Sequence, residues 1–311
     1  MRSNLYHVLC SSAITFNSRP LFHLTTSRLK TYDDFMCDVL YCQSFLQEKN
    51  VKSGDNVMIV GDNSPNWATI LYASWGCGAT IVPTFLKQQY SVKQHIINET
   101  KPKVIFNTGE MLRGHNEFNY IKDDIFSQGP LKDVDLDKNK LAAILYTSGT
   151  SGLPKGVPLT HKNIISNIDS IDRMTVSNEI TKHDKYISFL PWNHCYGLNC
   201  ELNYIISKGA STHIVTDPAL LVKKFKEHNP TILCTVPKVF QLIEKKTNFV
   251  FLPNFVRNML VRSLFGKNLR FCSVGGSAIS PSLINYFREA KIDIYQGYGS
   301  TECSPMISLN N

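Results

Sequence analysis

Residues 146–156 read Tyr-Thr-Ser-Gly-Thr-Ser-Gly-Leu-Pro-Lys-Gly, placing four aliphatic hydroxyls, three glycines and one lysine in eleven positions. Glycines let backbone N–H groups close on an anion, hydroxyls add donors, and the lysine adds a positive charge. That is the chemistry of a phosphate loop. A Walker loop needs Gly-x-x-x-x-Gly-Lys-Ser/Thr. Here Pro154 precedes Lys155, and Gly156 and Val157 follow it, so the spacing excludes that kind. The plain alternative is a Gly/Ser/Thr-rich surface turn.

Three other strings carry residue types suited to chemistry. Residues 188–211 read SFLPWNHCYGLNCELNYIISKGAS, a strand that ends at Pro191 and is followed by Trp192, His194 and Tyr196. By itself this is a strand-end turn with one polar histidine. Residues 273–280 read SVGGSAIS. Gly275, Gly276 and Ser277 at a strand end would let a flat base approach the backbone, and they equally suit an ordinary strand-to-helix turn. Residues 295–305 read YQGYGSTECSP. There Tyr298 offers an aromatic face for a base, Thr301 a hydroxyl donor for an anion, and Glu302 a hard carboxylate oxygen for magnesium.

Together these strings resemble the adenylate-forming (AMP-binding) superfamily of acyl-CoA synthetases, peptide-synthetase adenylation domains and luciferases. The resemblance runs from about Asn4 to the last residue. It implies that Thr147, Ser148, Gly149, Thr150, Ser151, Gly152 and Lys155 cradle phosphate and that Gly275, Gly276 and Ser277 contact adenine. Tyr298 would stack on adenine, with Gly299 and Ser300 in the same motif. Thr301 would bond the α-phosphate and Glu302 would hold Mg²⁺, so Thr301, Glu302 and Lys155 are the catalytic candidates. Residues 188–211 resemble the long-chain acyl-CoA synthetases, in which an aromatic and a histidine gate the acyl tunnel, making Trp192 and His194 the substrate candidates. A long tail needs an apolar slot and its carboxylate a donor at the mouth, for which His194 is the candidate.

The implied reaction is attack of a fatty carboxylate on the α-phosphate of ATP, expelling pyrophosphate, then attack of the CoA thiol on the acyl-adenylate. ATP, Mg²⁺ and, as co-substrate, CoA follow from the same resemblance. Family members continue past the second motif with an aspartate that holds the ribose hydroxyls, a small barrel subdomain, a hinge, and a mobile C-terminal domain carrying a lysine for adenylation. The nine residues after Glu302 hold no counterpart. The barrel and C-terminal domain are therefore expected to be absent, and losing one charge-stabilising group commonly costs about 100- to 1000-fold. The alternative to a working ligase is a catalytically impaired nucleotide- or acyl-binding remnant, or a fragment of a longer ligase.

The elements that must position these residues alternate. Helix is expected before residue 20, a strand pair over 20–30, a helix capped by Thr31 to about 49, and a strand over 56–60. A helix opening at Ser64-Pro65 and carrying Trp67 and Trp75 as core residues comes next, followed by strand 79–83, a helix capped by Ser91, and strand 104–107. Residues 108–140 read as a loop with one or two short elements. After strand 141–147 come helices near 163–174, 196–207, 218–228, 237–246 and 281–290. Strands at 186–190, 211–215, 231–235, 269–274 and 292–296 separate them. Strands alternating with helices imply an α/β fold: two open, mainly parallel, helix-covered sheet subdomains of the adenylate-forming large domain, dividing near 1–140 and 141–311.

The bulk numbers fit. At 311 residues, with 43% hydrophobic and 19% charged, the chain is globular. The net charge of +8 suits a phosphorylated ligand, nucleic acid or an anionic membrane surface. The lysines are dispersed, and no nucleic-acid motif is present. Nine scattered cysteines, an odd number without a Cys-x-x-Cys pair, form neither a disulfide framework nor a zinc site. No apolar run reaches the ~20 residues of a membrane span. The expected place is the cytoplasm, with peripheral membrane contact as the second option. Residues 1–32 have arginines and no acid, as a mitochondrial presequence would, but lack its amphipathic pattern and read as part of the fold.

Because Lys155 is assigned to phosphate alone, Lys155→Ala is expected to weaken ATP binding more than adenosine binding. Calorimetry with both ligands checks it, and equal losses would remove Lys155 from the loop's phosphate role.

Overall fold

The computed structural model describes residues 4–25, 27–108, 137–147, 152–174, 180–249 and 251–310. Two sheets organise them. The smaller has the order β5-β3-β4-β6-β7, built from β3 (Asn56–Val60), β4 (Thr80–Thr84), β5 (Val104–Asn107), β6 (Leu141–Thr147) and β7 (Lys155–Thr160). The larger has the order β13-β12-β11-β10-β8-β9-β1-β2. Its strands are β1 (Pro20–His23), β2 (Leu29–Thr31), β8 (Lys185–Ser188), β9 (Ser211–Ile214), β10 (Ile232–Thr235), β11 (Phe271–Val274), β12 (Asp293–Gly299) and β13 (Met306–Leu309). Pairing is parallel except where the edge strands β2, β7 and β13 turn back as hairpins. The expected α/β class with two mainly parallel, helix-flanked sheets is what the chain adopts. Neither sheet closes into a barrel among the described residues.

Sheet membership crosses the division expected near residue 140 in both directions. β1 and β2 join the larger sheet, while β6 and β7 complete the smaller. The reason is local: β1 pairs with β9 through Phe22 opposite Thr212, and β6 pairs with β4 through Ala143 opposite Ile81.

The helices begin where side chains can satisfy their first N–H groups. α1 (Leu5–Phe16) is capped by Asn4, and α2 (Tyr32–Glu48) by Thr31 in a full capping box with Asp34. α3 (Pro65–Gly76) is capped by Ser64 with proline at its first turn. α4 (Tyr90–Thr100) starts one residue before Ser91, which is therefore not its cap; Gln89 holds that position without a side-chain bond. α5 (His161–Asp172) follows β7 directly, capped by Thr160.

The helix expected over 196–207 is two elements: a π-helix, Gly197–Asn203, running into α6 (Tyr204–Lys208). A Cβ on Gly197 would lie 2.4 Å from the Pro191 carbonyl oxygen, so the widened turn presses on the preceding loop's backbone. α7 (Leu221–His228), α8 (Pro237–Thr247), α9 (Asn254–Leu264) and α10 (Pro281–Glu289) flank the larger sheet. Three elements were not expected: β7, whose Gly156 and Pro158 disfavour strand and are tolerated because it is an edge; α9; and β13.

The core joins the sheets through aromatic rings. Trp67 and Trp75 are buried, as their spacing implied. Trp67 lies 5.7 Å from Trp192, Phe22 5.3 Å from Phe35, and Tyr72 5.1 Å from Trp75, all centroid to centroid. The Trp75 indole donates to the Ala142 carbonyl at 2.8 Å, and Tyr32 donates to the Ala210 carbonyl at 2.8 Å, so these two polar tips are satisfied across elements.

His161 is buried against Trp75, and its Nδ1 accepts from the Leu5 N–H at 3.4 Å. Burial pulls its pKa from an ordinary 6.5 down to about 4. The unfolded chain then binds a proton that the folded chain refuses, so the stability held at neutral pH is lost as pH falls from about 6.5 to about 4. His161→Asn keeps an acceptor and cannot be protonated there. It is expected to flatten the acid side of the urea-unfolding profile by up to about 1.4 kcal/mol per pH unit. An unchanged slope would show that other groups carry the acid loss.

Candidate functional site

Two cavities lie at the carboxyl ends of the central strands, where open α/β sheets collect ligands. The first, about 180 Å³, is lined by Gly275 and Gly276 after β11, by Tyr298, Gly299, Ser300 and Thr301 at the end of β12, and by His194, Tyr196 and Cys200. Gly275 is needed because a Cβ would stand 3.0 Å from the Tyr196 ring; Gly276 sits at φ +82°, the left-handed region that favours glycine. Gly299 has no room for a side chain either, since its Cβ would lie 2.0 Å from the Pro305 carbonyl oxygen. Ser277 is exposed at the adjoining turn and is not among the lining residues.

The second cavity, about 220 Å³, is lined by Thr84, Phe85, Tyr146, Thr147, Pro154, Asn193 and His194, among others. Two of its polar atoms, the Thr84 hydroxyl and the Asn193 side-chain oxygen, are buried without a hydrogen-bond partner among the described residues. Unpaired buried polar atoms are costly, so a polar ligand group here would find waiting partners. His194 lines both cavities. Its ring edge meets Phe85 at 5.1 Å, and although the ring is open to the cavities, the surrounding protein lowers its pKa, leaving it neutral with one donor and one acceptor nitrogen at pH 7.

The phosphate-loop string joins the antiparallel strands β6 and β7, with Thr147 opposite Lys155. Ser148, Gly149, Thr150 and Ser151 lie outside the described residues. Gly152 and Lys155 are exposed. The hairpin is fastened to α4: Tyr146 donates to Glu99 at 2.7 Å, and His95 Nε2 lies 3.2 Å from the Pro154 carbonyl.

Glu302 is solvent-exposed in a short 3-10 turn, Thr301–Cys303. Its own backbone N–H and the Ser300 hydroxyl hold its carboxyl below the usual range, so it is ionised at neutral pH. Magnesium keeps several waters and binds through one or two carboxylates plus substrate phosphates. A single ionised carboxylate beside the first cavity fits that mode. No cluster of three or more metal-ligating side chains occurs among the described residues.

The side chain of Trp192, a substrate candidate in the sequence, is fully buried between Trp67 and Phe22 and lines neither cavity. The chain turns at Pro191 so that the ring returns to the core and anchors the loop that presents His194. Asn63 clips the same loop, accepting from the Trp192 N–H at 2.8 Å and donating to the Leu190 carbonyl at 2.7 Å. Glu201, wholly buried on the π-helix, faces Ser188, Trp192 and the backbone of Phe189 and Leu190, yet neither carboxylate oxygen reaches hydrogen-bond geometry. Burial pushes its pKa far up and keeps it neutral.

A buried polar ladder reaches the nucleotide motif from the core. Tyr72 donates to Asn203 at 2.8 Å, Asn203 donates to Asn199 at 3.0 Å, and Asn199 donates to the Ser304 carbonyl. From α5, Asn167 donates to the Met306 carbonyl at 2.8 Å. Tyr196 closes the other wall, donating to the Ser273 carbonyl at 3.0 Å. None of these residues was singled out for a role from the sequence. The readable signal was the pair of asparagines four residues apart in an apolar helix.

Residues 12–311 match the family model of the AMP-binding enzymes, and the chain belongs to that family. Among curated proteins it is 28% identical over 249 residues to the probable CoA ligase CCL6 of Humulus lupulus, a match covering 68% of this chain and 38% of that protein. It is 30% identical over 200 residues to the peroxisomal long chain acyl-CoA synthetase 7 of Arabidopsis thaliana (54% and 28%), and 25% identical over 344 residues to long chain acyl-CoA synthetase 1 of the same plant (88% and 52%). The chain thus spans about half or less of the length of these relatives. Its fold is shared with the N-terminal domain of FACL13 from Mycobacterium tuberculosis (TM-score 0.79, 20% identity, 98% of this chain and 78% of that one). It is also shared with VinN in complex with L-aspartate (TM-score 0.80, 17% identity, 98% and 78%).

Asn199→Ala strands the Ser304 carbonyl and one Asn203 donor. The expected result is a loss of about 1–3 kcal/mol in urea unfolding together with AMP affinity at least about fivefold weaker, as the Ser304 turn relaxes beside Tyr298. A folded variant that binds AMP as the parent does would dismiss the ladder as support for the motif.

Proposed function

We propose that this chain carries the nucleotide and acid sites of an ATP- and Mg²⁺-dependent fatty-acid–CoA ligase, which forms acyl-AMP and then acyl-CoA. The observation that carries the reading is His194, a neutral donor shared by a nucleoside-sized cavity and a second cavity reached by Thr147. The base would lie between Gly275–Gly276 and the Tyr298 ring, with the phosphates running toward Thr147 and Lys155 and the α-phosphate near Thr301. Magnesium, held by Glu302, would neutralise developing charge on the phosphates. His194 would orient the carboxylate for in-line attack, so that catalysis rests on positioning and charge stabilisation. CoA would enter as thiol co-substrate.

The tail needs an apolar slot. A small cavity of about 50 Å³ continues from the first one past Cys200, Ser273 and Met306, walled by Ile171, Tyr204 and Phe271. It takes only a few carbons, so a long chain requires those walls to part. No helix among the described residues is long and apolar enough to cross a membrane; work in the cytoplasm, with peripheral contact to a membrane, is part of the proposal.

A second reading, binding of nucleotide and acid without turnover, is favoured by the openness of the nucleotide motif. Tyr298 is 68% exposed and Glu302 faces water, whereas charge stabilisation is strongest where water is excluded.

Pyrophosphate exchange and acid binding across a chain-length series test the proposal. Affinity is expected to rise with length, toward the roughly 0.8 kcal/mol per methylene of full burial, and exchange to depend on Glu302. Affinity flat from short to long acids would replace the fatty-acid assignment with an aryl or short-acyl one. Tight binding with no exchange would favour the second reading.

A further inference from the structure

Exposed apolar side chains lie on α8, on α9 and on the segment between them. Phe251 is 97% exposed, Phe255 68% and Met259 70%, and Leu242 and Phe249 are exposed beside them. Phe255 and Met259 are one helical turn apart on α9, on the face turned away from the core. The opposite face is the packed one: Val261 is fully buried, and Arg257 pairs with Glu289 and lies 4.8 Å from the Tyr286 ring. Arg262, on the same side as Phe255 and Met259, donates to the Leu269 carbonyl at 2.6 Å and to the Lys291 carbonyl at 3.2 Å. Both arginines are thus committed to holding the helix. An amphipathic helix already packed on one side, with large hydrocarbon on the other, calls for a partner.

The outward face borders a groove of about 740 Å³. Phe255 and Met259 stand on one wall, and Lys226, Lys267 and Lys291 line it with a single acid, Glu289. That acid is the one already paired with Arg257. The three lysine ammoniums make no hydrogen bond or ion pair among the described residues. Residues 238–267 hold six cations (Lys238, Lys245, Lys246, Arg257, Arg262, Lys267) against one acid (Glu244), a net +5 of the chain's +8.

We propose that this face docks on an anionic lipid surface, with Phe251, Phe255 and Met259 entering the acyl boundary and Lys226, Lys267 and Lys291 meeting headgroup phosphates in the groove. Charge and hydrocarbon side by side around one groove match that surface. A free phosphate would satisfy the lysines and leave the rings in water. A second copy would set this groove's lysines against a like-charged face on chains that each carry +8, so self-association through this face is opposed by charge. The docking is independent of catalysis, and the face includes no residue of the nucleotide or acid sites.

The test is flotation of the full chain with vesicles of phosphatidylserine and phosphatidylcholine (3:7) and of phosphatidylcholine alone. Binding is expected to the first only and to fall steeply between 0.1 and 0.5 M salt. Phe251→Ser/Phe255→Ser and Lys226→Glu/Lys267→Glu are each expected to reduce the bound fraction at least tenfold, with AMP binding and thermal unfolding unchanged. Equal binding to both vesicle types, or insensitivity to both double variants, overturns the proposal. So does a dimer in light scattering that Phe251→Ser/Phe255→Ser dissolves, which would make the occupant a second copy.

Discussion

Through the buried core runs a line of polar groups, Tyr72, Asn203 and Asn199, which ends on the backbone of Ser304. An unpaired buried amide costs about 1–3 kcal/mol, so each member is fixed by the next. Release of one would leave several unsatisfied where water cannot reach. That constraint ties a helix packed on the smaller sheet to the turn that follows β12 on the larger one. Because Ser304 lies between Thr301 and the returning strand β13, the same ladder sets where the nucleotide motif stands.

The chemistry around that turn is divided by environment. The surrounding protein lowers the His194 pKa and burial raises that of Glu201, favouring the neutral form of each, while local donors keep the exposed Glu302 ionised. A neutral donor near the carboxylate's place and a negative charge near the metal's place are what acyl activation by ATP would need. Trp192 anchors the 188–194 loop in the core and Asn63 clips it, and together they set where His194 emerges.

Much of this was legible in the sequence. Alternating strands and helices gave the α/β class, Ser64-Pro65 and Thr31 marked their helices as placed, and the strings at 273–280 and 295–305 fell at strand ends lining one cavity, with the phosphate-loop string reaching the second. What was not legible depends on distance in space. Residues 155–160 carry Gly156 and Pro158, which argue against strand, and only pairing with β6 makes them one. Trp192 follows a strand end two residues before His194; the turn at Pro191 that returns its ring to the core cannot be read from neighbours in sequence. Asn167, Asn199 and Asn203 are polar residues in helices, and their partners lie more than 100 residues away in chain order.

The central claim is that one ligand spans the Gly275–Tyr298 cavity and reaches His194. The most direct measurement is a crystal structure of the chain with a non-hydrolysable acyl-adenylate analogue. The account predicts adenine between Gly275–Gly276 and the Tyr298 ring, with the acyl carbonyl within hydrogen-bond reach of His194. An analogue bound away from His194, or with its base outside that cavity, would contradict it.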